Sequence, residues 1–171
     1  MRVDGRKLDV SVDARGLLRD MPHAMHIHFS AHSRGTCPTV RDDDNDDHRL
    51  NTTEGHPAYG SVRVSLTKGG PTGPGSALAV NRFPTAPRGR IHYERETIPT
   101  HAVAEGIRSG EAVVVIHGID YNNNDTYDFS AGKSDLDPAL PTEATDPVSC
   151  GVLHQRQSLL PNLPGLLSLR Q

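Results

Sequence analysis

Apolar residues in this chain recur at every second position, in short runs, and that period constrains the fold more than any other feature. Leu8, Val10 and Val12 alternate with polar neighbours. Met25, Ile27 and Phe29 do the same, as do Val62, Val64 and Leu66, and Ile91 with Tyr93. A period of two sends successive side chains to opposite faces of a strand. Residues 112–116 form a continuous apolar run, read as a strand buried on both faces. Residues 77–80 are a shorter apolar run, and 150–153 read as a short last strand. Gly and Pro, 16 and 13 of the 171 residues, cluster between these runs as turns require. No helix-length crossover separates them, so the strands pair antiparallel. The pattern predicts an all-β sandwich or barrel. Helical signal is confined to residues 101–107, enough for a turn or two.

Composition excludes several functions. Lys and Arg number 18 against 21 Asp and Glu, a formal charge of −3, so no basic excess points to nucleic acid. No apolar run approaches the roughly 18–20 residues of a membrane-spanning helix. The length fits one domain with a real core, read here as residues 1–154. A tail, 155–171, is expected to be poorly ordered or laid over the surface. Residues 32–60, 68–76 and 120–148 read as loops, and long loops in compact domains usually carry function.

Ten His are a surplus, and their placement is informative. His26 and His28 sit two apart in an alternating strand, so both imidazoles share one face, roughly 7 Å apart along it. That spacing suits one metal ion, and neutral imidazole suits Cu, Zn, Fe and Ni. The other reading is a pair of solvent-facing histidines. His117, at the end of the 112–116 run, adds a third ligand and favours the metal. His92 reads as part of a polar strand face, and His101 and His154 as surface residues. Cys37 and Cys150 are either two buried thiols or one long-range disulfide, the latter implying an oxidising compartment.

Two acidic segments read as calcium loops. In the first, oxygen ligands fall at Asp43, Asn45, Asp47 and Asn51, with the backbone of Arg49 between them and Glu54 closing the shell. Position 6 of such a loop needs an unusual φ, and His48 occupies it. No flanking helix is evident. The second segment offers Asp120, Asn122, Asn124 and Asp128, but Ala131 stands where a closing Glu would be. An acidic solvated loop, or ordinary turn composition, is the competing account of each.

Several of these residues lie in motifs that resemble copper/zinc superoxide dismutases. The segment His23-Ala-Met-His26-Ile-His28 resembles that family's first histidine strand. Val113-Val-Val-Ile-His117-Gly resembles its late strand ending in a copper-binding His, and Ser149-Cys150-Gly-Val-Leu153 its terminal strand. The resemblance covers most of residues 23–153. It implies an eight-stranded Greek-key, immunoglobulin-like β-sandwich pinned by a Cys37–Cys150 disulfide. It implies copper as cofactor, with His26, His28 and His117 as ligands and His23 bonded to backbone. The fourth ligand falls to His56, with His48 as the alternative. The family's remaining zinc ligands have no counterpart before Val62, so zinc is not expected. The Arg that attracts superoxide in that family is replaced by Pro147, leaving the metal alone, or a nearby base such as Arg41 or Arg49, to attract the anion. No catalytic side chain beyond the metal ligands is assigned.

The chain is also similar to bacterial secreted proteins with a CHRD-like β-domain. Two functions follow: a copper-dependent dismutase acting on superoxide or another small oxidant, or a non-enzymatic domain that binds copper, calcium or both. Either is expected outside the cytoplasm. Residues 1–6 have no apolar signal-peptide region, so export is expected to use a leader removed from this chain, a different start, or another route.

Overall fold

A computed structural model describes residues 2–4 and 7–154. Seven strands are described: β1 (Arg2–Asp4), β2 (Lys7–Arg15), β3 (Met25–His28), β4 (Val62–Ser65), β5 (Arg90–Thr97), β6 (Val113–His117) and β7 (Pro147–Val152). They form two antiparallel sheets, ordered β1-β2-β5 and β4-β3-β6-β7. The alternating segments become the strands expected of them. Leu8, Val10, Ile91 and Tyr93 from one sheet join Met25, Ile27, Val64 and Ile116 from the other in one buried apolar cluster.

The other face of the four-stranded sheet is unusual. Pairing sets His26 opposite Val115 and His28 opposite Val113, with Cys150 opposite Val115 in turn. These side chains point away from the main core. Two valines of that face, Val113 and Val115, pack with Tyr59 in a second buried cluster, against which Cys37, Cys150 and Val152 are packed. β3 is therefore buried on both faces along its whole length. What covers the second face is not a third sheet but the long loops. The Cys37–Cys150 disulfide ties the first of them to β7.

Two of the stretches expected to be loops hold helical structure. Residues 32–60 contain a helix, α1 (Thr52–Tyr59). Its start is an Asn51–Glu54 capping box: each side chain accepts from the other residue's backbone N–H. That box overrides the poor helix composition and places a helix directly after the acidic segment, where none was evident. Residues 120–148 contain one helical turn, α3 (Thr142–Thr145). The apolar run 77–80 forms no strand. It joins two 3-10 turns, Pro74–Ser76 and Val80–Arg82, because Pro and Gly before it break extended pairing. The 101–107 signal is α2 (His101–Ser109), capped by Thr100 and by Gly110 in the left-handed region. The expectations for residues 155–171 lie outside the described residues. No described helix is long and apolar enough to cross a membrane.

The disulfide closes a loop of 113 residues, which the chain-entropy account values at about 5 kcal/mol. A double Cys37→Ser, Cys150→Ser variant is expected to lose about 2–5 kcal/mol in urea unfolding. An unchanged midpoint would show that the loop is held down without it.

Candidate metal centre

β3 and β6 deliver three imidazoles to the covered face. Both strand pairs slip register beside a histidine: β3–β4 between Ile27 and His28, and β6–β7 between Ile116 and His117. Bulges of this kind re-aim a side chain. The ring centroids of His26 and His117 are 5.1 Å apart, those of His26 and His28 5.6 Å, and those of His28 and His117 5.9 Å. One ring nitrogen from each residue lies within 4.8 Å of the others. Among the described residues this is the one group of three or more metal-ligating side chains so close together.

Each ring spends one nitrogen on a backbone carbonyl. His26 Nε2 donates to Ala77 O at 3.0 Å, His28 Nδ1 to Gly60 O at 2.8 Å, and His117 Nδ1 to Thr145 O at 2.6 Å. A carbonyl can only accept, so these nitrogens carry the protons. The other nitrogens, His26 Nδ1, His28 Nε2 and His117 Nε2, are then bare lone pairs. All three are buried and have no hydrogen-bond partner. A buried acceptor without a donor is costly, and this group holds three of them. A cation held between them would give each its missing partner. The carbonyls also fix tautomer and ring orientation, as outer partners of metal-bound histidines do.

Electrostatics keeps the rings neutral. Burial pushes His28 down to about 3, with the charge of His117 adding to it, and pushes His117 down to about 4. His26 also lies well below the ordinary range, through burial first and then through His117 and His28. Neutral imidazole is the form that binds metal.

The neighbouring groups have separate jobs. His23 is buried and spans two carbonyls, with Nδ1 2.8 Å from His117 O and Nε2 3.1 Å from Leu18 O. Gly118 follows His117 at φ +108°. A Cβ there would stand 2.1 Å from the Tyr127 hydroxyl and 2.9 Å from His23 Nδ1, so the His-Gly pair is sterically required. His56 lies exposed on α1, its Nε2 3.2 Å from Ser61 Oγ. His48 is exposed in the first acidic loop at φ +64°, as position 6 of a calcium loop requires. Neither belongs to the three-histidine group. Arg41 is exposed. Arg49 is engaged: it pairs with Asp47 at 2.9 Å, donates to Ala131 O at 2.7 Å and lies 5.6 Å above the Tyr121 ring.

The two acidic loops share one hydrogen-bond pattern. Asp43 accepts from the N–H groups of Asp47 and His48, Asn45 from Asp47, and Asp47 from Arg49. Asp120 accepts from Asn124 and Asp125, Asn122 from Asn124, and Asn124 from Thr126. Positive φ recurs at matching places, Asp46 and His48 in one and Asn123 and Asp125 in the other. A carboxylate from α3 reaches the backbone of the second loop. Glu143, fully buried, accepts from the N–H groups of Tyr121 and Asp128. No sequence period links residues so far apart, which is why Glu143 escapes a linear reading. The carbonyls of Ala77, Gly60 and Thr145 escape it too, because every residue carries one.

Comparison with protein-family models, with curated proteins and with solved structures finds no match to this chain. The centre therefore rests on its own geometry.

The depressed histidines set a pH dependence for the metal-free protein. The unfolded chain takes up protons near pH 6.5, while the folded rings resist until about pH 4 or below. Stability is full above pH 6.5 and falls as pH drops towards 4, by up to about 1.4 kcal/mol per pH unit for each histidine. Urea titrations across that range should show this slope, and His28→Gln should reduce it by one proton. A wild-type midpoint that stays level as pH falls would contradict the burial of neutral rings.

Proposed function

We propose that this chain is a copper-binding domain of the copper/zinc superoxide dismutase type, with His26, His28 and His117 as its ligands. The observation that carries the reading is the set of three buried, unpartnered ring nitrogens, one Nδ1 and two Nε2, each opposite a committed N–H. Two antiparallel sheets sharing a core, closed by a Cys37–Cys150 disulfide, support a Greek-key sandwich of that type. Copper held by these three rings would supply one-electron redox chemistry towards superoxide, oxidising one to oxygen and, with two protons from solvent, reducing another to hydrogen peroxide. The chain's own residues hold the rings neutral, fix their tautomers and bury the free nitrogens. The disulfide fits an oxidising, extracytoplasmic compartment.

A second reading, copper held without turnover, has its own support. The charged side chain acting on His117 is the carboxylate of Asp135, which repels an anion. Arg49, one of the two candidate bases, is taken up by Asp47 and Ala131. Metal analysis after copper loading should find one copper per chain, lost in His26→Ala and His117→Ala. Superoxide turnover well above that of free copper assigns the dismutase activity. Bound copper without turnover assigns the holding role, and no copper uptake contradicts both.

We propose calcium for the loops that start at Asp43 and Asp120, supported by their common pattern of inward-turned oxygens. Saturating calcium at a hundred times its Kd should stabilise the protein by about 2.7 kcal/mol. A thermal melt should show that gain in wild type and a smaller one in Glu54→Gln or Asp120→Asn. Equal melts with calcium and with chelator would contradict it.

A further inference from the structure

α1 touches the histidine group at two separate points, although it contributes no member to it. At its end, the Gly60 carbonyl takes the His28 Nδ1 proton. One residue earlier, the Tyr59 ring packs edge-on against His28, with centroids 4.5 Å apart. At its start, the Thr52 hydroxyl donates to Thr145 O at 3.0 Å. That is the carbonyl that takes the His117 Nδ1 proton. The loop closes within the helix, because the Tyr59 hydroxyl donates to Thr52 O at 3.0 Å. Thr52, Tyr59 and Thr145 are all buried.

We infer that Thr52 and Tyr59 are positioning residues that lock His28 and His117 into one metal-binding geometry, an inference that rests on the metal reading above. A carbonyl oxygen has two acceptor sites. With His117 on one and Thr52 on the other, Thr145 O cannot swing without breaking a buried hydrogen bond. His117 inherits that fixed direction. Tyr59 carries the constraint across to His28, since its hydroxyl is tied to the backbone of Thr52 while its ring rests on the imidazole. The helix thus acts as a strut between the ligands of two different strands. Outer partners of this kind are worth about 10–100-fold in metal affinity.

Thr52→Val tests the strut while keeping the side-chain shape. Thr145 O keeps its bond from His117, so no buried acceptor is orphaned and the fold should stand. Cu(II) affinity, read by competition with a chelator, is expected to fall about 10–100-fold. The electron paramagnetic resonance spectrum of the Cu(II)-loaded variant should shift. Thr52→Ser restores the hydroxyl and should return both readings to wild type, which a merely structural loss would not do. Tyr59→Phe removes the other tie, should weaken binding in the same direction, and serves if Thr52→Val does not fold. Wild-type affinity and spectrum in Thr52→Val, or in Tyr59→Phe if that variant serves instead, overturn the inference alone. A Thr52→Ser variant as weak as Thr52→Val also overturns it. Failure of wild type to bind Cu(II) overturns the metal reading beneath it.

Discussion

Three imidazole N–H groups, each given to a backbone carbonyl from a different loop, are what the rest of this structure depends on. The carbonyls belong to Ala77, Gly60 and Thr145, which lie in three separate connections of the chain. Each bond orients one ring and strips one nitrogen of its proton. The result is a group of three buried ring nitrogens with lone pairs and no partner. Such an arrangement is poor design for a metal-free protein and good design for a metal-binding one. It also requires the loops to lie on the sheet, because a carbonyl can orient a histidine only if it is held there.

That requirement accounts for the elaborate connections. A four-stranded sheet with one face on the main core would ordinarily leave its other face in water. Here Val113, Val115 and the three histidines occupy that face and are buried. The disulfide ties the 32–60 connection to β7, and α1 presses Tyr59 into the gap. The 118–146 connection closes the far side, with Glu143 and the Asp120 turn organising its backbone. Stability and site assembly therefore share the same contacts, so whatever stiffens the acidic loops also steadies the histidines.

Much of this is legible in the residues themselves. Strand period places His26 and His28 on one face, and the apolar run places His117 at a strand end. The structure brings those three together and joins Cys37 to Cys150. Less legible is anything that depends on backbone direction. The helix α1 starts from a capping box within an acidic stretch whose composition argues loop. Glu143 reaches the Asp120 loop across more than a dozen residues. The orienting carbonyls leave no trace in side-chain chemistry. His56, chosen for spacing, stands outside the group because α1 turns it towards Ser61 and solvent.

Nitrogen-15 NMR of the metal-free protein at pH 7 reads the proton positions on which the site rests. Three neutral rings are expected, with the proton on Nε2 of His26, on Nδ1 of His28 and on Nδ1 of His117. On adding diamagnetic Cu(I), the opposite nitrogen of each ring should shift. A protonated imidazolium among the three, the reverse tautomers, or bare nitrogens that ignore the metal would contradict it.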